Sequence, residues 1–169
     1  MRKFKLCYDK DEEEAWLQSM CAKGWAFQKF FLGVYTFAPC EPGEYTYRID
    51  LMANSFQEQE QYKVFMREMG VEPVAQWYRW CYLRRKASEG PFELYSDVDS
   101  MIAHYSRIRR FFTGALVVEA ICLLAEINGL LTTGEPLLFF FTVVILALVV
   151  VLAGAVYMCG RKIRRLREG

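Results

Sequence analysis

The sequence predicts an α+β fold followed by a two-helix transmembrane hairpin, and three observations carry that expectation. Two long apolar stretches, 111–131 and 137–159, lie towards the end of the chain. Ahead of them, segments alternating with period 2 are interspersed with segments of helical spacing. The order strand, helix, glycine, hairpin occurs twice, over 3–38 and again over 45–85. Tandem βαββ modules of this kind predict an antiparallel sheet with helices on one side.

The first module opens with Lys3–Tyr8, a loosely alternating short strand. Asp9 is placed to cap a helix, and Asp11, Glu12, Glu13 and Glu14 fall in its first turns, where the helix dipole favours acids. Trp16, Leu17, Met20 and Cys21 follow at helical spacing, and Gly24 supplies the left-handed residue that stops the helix. Trp25–Phe31 and Val34–Phe37 then flank Leu32-Gly33 as a hairpin.

In the second module, Tyr45–Leu51 alternates strictly and reads as a strand. Ser55 and Glu58 have capping-box spacing, and Tyr62, Phe65, Met66 and Met69 share one helical face. Gly70 ends this helix, and Pro73–Trp77 with Arg79–Arg84 gives a second aromatic hairpin. The cytoplasmic domain is therefore expected over 1–95.

After the turn at Gly90-Pro91, Phe92–Tyr95 reads as a short extended linker. Ser96 and Asp99 repeat a capping signature, and Met101, Ile102, Tyr105 and Ile108 give an amphipathic stripe over a juxtamembrane helix at 96–110. No breaker separates it from the first span, which predicts one long helix from Asp97 to Leu131. The sequence NGLLTTGEP forms the turn between the spans, and a basic tail occupies 160–169.

Each apolar stretch is long enough to cross ~30 Å of hydrocarbon as a helix. Arg107, Arg109 and Arg110 precede the first span, five Lys/Arg in 161–167 follow the second, and the turn between them has none. The positive-inside bias thus predicts a multi-pass protein of the cell membrane, with both termini in the cytoplasm and the lipid bilayer as its first partner. MRKFKLCYDKDEEE has no apolar run behind its charges, so no signal peptide is expected.

Residues 1–106 hold 13 Lys/Arg against 16 Asp/Glu, which argues against direct contact with nucleic acid. The six cysteines show no C-x-x-C spacing, and the only histidine is His104, so neither a metal site nor a disulfide framework is expected. No phosphate-cradling loop, cofactor motif or paired nucleophile and base stands out, and the chain is not expected to be an enzyme or to carry a cofactor.

Ligand binding is the better expectation. Strand aromatics point alternately to the two faces of a sheet, so only about half can be core. The remainder, for which Tyr35, Tyr45, Tyr47, Trp77, Trp80 and Tyr82 are the candidates, could line a concavity for a flat aromatic or cationic molecule, or an interface for a protein partner. The same aromatics also suit a small sheet as plain core residues and strand formers. Arg48 and Asp50 could form an ion pair or line a polar pocket mouth, and Arg84-Arg85-Lys86 could touch anionic headgroups or simply be solvated.

Glu119 and Glu126 lie nearly two turns apart in the first span, with Cys122 between them. An acid at the bilayer centre costs about 2.5–3.5 kcal/mol, so this stripe should face protein. It could join copies in a homo-oligomer, pair with a basic residue of a partner membrane protein, or form an ion path within an oligomer. Two functions follow: a membrane-anchored cytoplasmic sensor or interaction protein, or an accessory subunit of a membrane transporter associating through this acidic face.

WLQSMCAKGW (16–25), GEYTYRIDL (43–51) and EGPFELYSD (89–97), followed by a membrane hairpin, resemble an uncharacterised family of small Gram-positive bacterial membrane proteins known only as a domain of unknown function. Its members are often encoded beside PadR-type transcription regulators, so the resemblance implies a possible PadR-type regulatory circuit; it implies no site residue. The paired strand–helix–strand–strand modules also look like GyrI-type ligand-binding domains, which take aromatic, often cationic compounds between two such modules.

Overall fold

The computed structural model describes every residue except Tyr8, Pro91, Ser96, Asp97 and Gly169. The expected strand end at Tyr8, the turn at Pro91, the cap at Ser96 and the helix start at Asp97 lie outside the described residues. The chain divides into two compact units, Met1–Leu94 and Tyr95–Gly169.

The first unit is α+β and holds six strands. Its first module comprises β1 (Arg2–Phe4), α1 (Lys10–Ala22), β2 (Trp25–Phe31) and β3 (Val34–Pro39), and its second β4 (Tyr45–Leu51), α2 (Phe56–Glu68), β5 (Glu72–Trp77) and β6 (Trp80–Lys86). The strands form two antiparallel three-stranded sheets, ordered β1-β3-β2 and β4-β6-β5, so each module closes its own sheet. The edge strands β2 and β5 approach one another.

The modules match in detail. Asp9 and Ser55 are the helix N-caps, and Gly24 and Gly70 take positive φ just beyond the helix ends. β2 and β5 each carry a bulge, at Gln28 and Val74, four residues before a turn residue of positive φ, Leu32 or Tyr78. Gly24 is needed for its backbone: φ is +81°, and an added Cβ would sit 3.2 Å from the Cys40 carbonyl.

Helix α1 joins the modules by capping a strand edge. In an antiparallel pair alternate residues turn their N–H and C=O away from the partner strand. On β4 these are Tyr45, Tyr47 and Ile49, and α1 meets each of them. Gln18 donates to the Tyr45 carbonyl at 2.9 Å and accepts from the Tyr47 N–H at 3.3 Å. Glu14 accepts from the Ile49 N–H at 2.7 Å, and the Cys21 sulfur from the Tyr45 N–H at 3.3 Å. An exposed strand edge, which would template aggregation, is thereby closed by side chains at helical spacing.

Two cores result. Leu17, Met20 and Cys21 of α1 pack against Phe27, Tyr35, Phe37, Tyr47, Ile49 and Tyr82, while Met52, Val71, Cys81, Leu83 and Phe92 form the second. Phe92 is thus a core residue rather than part of an extended linker: the second sheet needs an apolar cover that α2 alone does not supply. Ser55 makes no side-chain cap bond, so the capping box does not form. Tyr62 and Met66 pack inward, but Phe65 and Met69 are exposed. Gln59 fixes the rotation of α2 by bonding the Ala53 carbonyl and Gln76, which swings Phe65 and Met69 aside.

The second unit is a hairpin of α3 (Val98–Thr133) and α4 (Pro136–Glu168). Both helices are long and apolar enough to cross a membrane. At 1.5 Å per residue they run about 54 and 50 Å, well beyond the ~30 Å of hydrocarbon. The turn is shorter than NGLLTTGEP, because helix continues to Thr133 and only Gly134-Glu135 connect; the basic residues at 161–167 are likewise helical. The less exposed positions of α4, including Leu138, Thr142, Ile145, Val149, Leu152 and Cys159, follow a 3.5-residue period, the signature of two helices packed along one seam.

Candidate functional site

Two carboxylates are buried in the first unit, Asp50 and Glu13, and Glu13 is the one enclosed by aromatic rings from both modules. Glu13 lies in the first turns of α1, where the Asp9 carboxylate accepts from the Asp11 N–H at 3.0 Å and the Asp9 carbonyl from the Glu13 N–H at 3.1 Å. One turn before Leu17, it shares the inward face of the helix and is only 9% exposed. Its Oε1 accepts two tyrosine hydroxyls, Tyr35 at 2.6 Å from β3 and Tyr82 at 2.7 Å from β6. Both modules therefore contribute to one acid.

Aromatic rings surround it. Trp16 meets Tyr35 edge-on at 4.7 Å, Phe30 lies 4.8 Å from Tyr35 and 5.4 Å from Tyr82, and Phe27 lies 5.1 Å from Tyr82. Lys5 stands over the Trp16 ring at 4.8 Å. Burial pushes the Glu13 carboxyl above the usual carboxylate range, although the two tyrosine hydrogen bonds pull it back. Burial, with Glu13 beside them, also raises the Tyr35 and Tyr82 hydroxyls, so both stay protonated and donate. Burial and then Glu13 raise the Cys7 thiol as well. The arrangement is a desolvated negative or neutral acid in an aromatic shell, chemistry suited to receiving a cation.

The six aromatics picked out in the sequence divide into two groups. Tyr35, Tyr47 and Tyr82 are fully covered core side chains, and the Tyr47 hydroxyl accepts from the Phe27 N–H at 3.0 Å beside the β2 bulge. Tyr45, Trp77 and Trp80 are half-buried at the margin of the same core. Trp77 meets Phe31 at 5.2 Å and Phe30 at 5.9 Å across the two hairpins, and Arg84 covers the Tyr45 ring at 4.4 Å. Arg48 pairs with Glu93 at 2.7 Å, while Asp50 accepts the Tyr62 hydroxyl at 2.6 Å, so the two do not pair with each other.

Glu13 was the residue missed. It sits in a run of acids that the helix dipole explains, yet its four-residue spacing from Leu17 already places it on the apolar face.

In the second unit Glu119 and Glu126 occupy the partly covered stripe of α3, with Leu116, Leu123 and Leu130, and so face α4. One carboxyl oxygen of Glu126 is enclosed without a hydrogen-bond partner among the described residues. Cys122, expected on the same stripe, is exposed instead. Leu123 takes the seam position because the 3.5-residue repeat advances by four residues from Glu119 and then by three. No cluster of metal-binding side chains occurs among the described residues.

No curated protein and no solved structure matches the chain. A family model described as a protein of unknown function, DUF2812, matches residues 9–117. That span includes Glu13, Tyr35 and Tyr82, and it ends before Glu119 and Glu126. Covering more than half of the sequence, the match places this chain in the DUF2812 family.

Proposed function

We propose that this protein is a membrane-anchored cytoplasmic sensor whose α+β unit binds a small aromatic cation, with α3 and α4 as its anchor. The observation that carries this reading is Glu13, a buried carboxylate whose partners are two neutral hydroxyls and whose surroundings are aromatic. Burying a carboxyl without a cation is costly, and an organic cation stacked among Phe30, Trp77 and Trp16 would relieve that cost. Entry requires the two hairpins to part where Phe30 and Phe31 meet Trp77. The PadR-type circuit is where such a signal would be read.

The test is a fluorescence titration of the full chain in mild detergent with ethidium and crystal violet, following tryptophan quenching. Saturable quenching that is lost in Glu13→Gln supports the reading; equal quenching in the two proteins, or none in either, removes it. We place the accessory-subunit reading second, because Glu119 and Glu126 are directed at α4 rather than outward.

A further inference from the structure

The outer face of the first sheet, opposite α1, is uncovered at its hairpin-tip end and has an unusual composition there. Strand register sets Phe4, Val34 and Phe31 side by side across β1, β3 and β2. Phe4 and Phe31 are 68% and 61% exposed, and Leu32 at the hairpin tip 62%. Leu6, also exposed, folds over the tip, held by the Lys5 N–H donating to the Gly33 carbonyl at 2.9 Å. Gly33 has φ +78°, and a Cβ there would come within 2.9 Å of the Phe4 ring, so this turn accepts only glycine without displacing the apolar row. The next row of the same face is Arg2, Thr36 and Lys29. Arg2 and Lys29 are exposed, neither pairs with an acid among the described residues, and these two rows contain no Asp or Glu.

We propose that this face docks on the surface of an anionic bilayer, with Phe4, Leu6, Phe31, Leu32 and Val34 at the headgroup–acyl boundary and Arg2 and Lys29 on lipid phosphates. An apolar tip backed by a basic row is the pattern that binds membrane interfaces, where burial of apolar area and attraction to anionic lipid act together. A second copy is the poorer occupant: the same two rows of its face offer no acid for Arg2 and Lys29 to meet. The proposal rests on the reading of α3 and α4 as a membrane anchor. Failure of that reading would show separately, as a chain that does not enter lipid nanodiscs.

The experiment is hydroxyl-radical footprinting of the full chain in nanodiscs holding one copy each, made of phosphatidylcholine alone or mixed with phosphatidylglycerol. Oxidation of Phe4, Phe31 and Leu32 is read against Phe56, an exposed residue of α2. Docking predicts slower oxidation of the tip in the anionic discs only, restored in Arg2→Gln/Lys29→Gln. Loss of the two cations should weaken docking about 30-fold, at ~1 kcal/mol for each cation near an anionic surface. Equal oxidation in both lipids, or protection that the double variant keeps, overturns the proposal. Protection found only in discs holding two copies also overturns it and assigns the face to self-association.

Discussion

Gln18→Ala isolates one of the contacts that join the two modules. The side chain makes two hydrogen bonds to the β4 edge, to Tyr45 at 2.9 Å and Tyr47 at 3.3 Å, and nothing else in α1 can replace the second. Tyr47 is 1% exposed, so water does not readily take over its N–H. At ~1 kcal/mol net for each hydrogen bond, the loss is about 2 kcal/mol. With 1.4 kcal/mol per factor of ten, that corresponds to roughly 30-fold faster local opening. The assay is hydrogen exchange by mass spectrometry on the full chain in detergent. The amides of Tyr47 and Ile49 should exchange faster by about that factor, whereas those of α3 and α4 should not change. A destabilisation under about 0.5 kcal/mol, with Tyr47 exchange unaltered, would refute the claim that α1 side chains complete this sheet.

Glu13→Gln should make stability less dependent on pH. Because burial raises the folded-state pKa of Glu13, its contribution is fully present below the ordinary carboxyl value and is lost as pH rises through the raised one. Thermal melts of the variant and the parent should therefore coincide near pH 4 and diverge in favour of the variant above it, by at most ~1.4 kcal/mol per pH unit; a variant less stable at pH 7.5 contradicts this. Ala103→Pro, inside α3, should cost ~3 kcal/mol and raise hydrogen exchange over 98–110 while 111–133 keeps its protection; unchanged exchange over 98–110 would show that this turn of α3 bears no load. Glu119→Gln/Glu126→Gln should leave the oligomeric state in native mass spectrometry unchanged, since both acids face α4, and should make the hairpin harder to unfold in sodium dodecyl sulfate. Loss of a defined oligomer would put the acids at an interface between copies.

The elements were legible wherever a period or a stop signal was strong. β2 and β4 fall where the aromatic and alternating runs place them, and Gly24 and Gly70 end their helices. Membrane-length helices follow from apolar runs alone. What was not legible depends on tertiary neighbours. Two sheets rather than one follow from Gln18 and Glu14 closing the β4 edge, a role that helical spacing does not announce. Phe92 looks like linker until a second core is seen to lack a lid. Phe65 and Met69 match the helical period yet stay outside, because Gln59 sets the rotation of α2. The site behaved in the same way. Its tyrosines were visible as strand aromatics, but their convergence on Glu13 requires β3 and β6 from different modules to meet over α1.

The central claim is that Glu13 is the counter-charge for a bound cation, and proton linkage tests it most directly. A cation seated beside the carboxyl favours its ionised form, so binding should release a proton wherever the empty site still holds one. Isothermal titration of the full chain with ethidium, repeated from pH 4.5 to 7 in two buffers of different ionisation enthalpy, reads that release. The account predicts release of up to one proton, fading as pH rises through the raised pKa of Glu13, and no release in Glu13→Gln. Binding without proton release at any of these pH values, equally tight in Glu13→Gln, would contradict it.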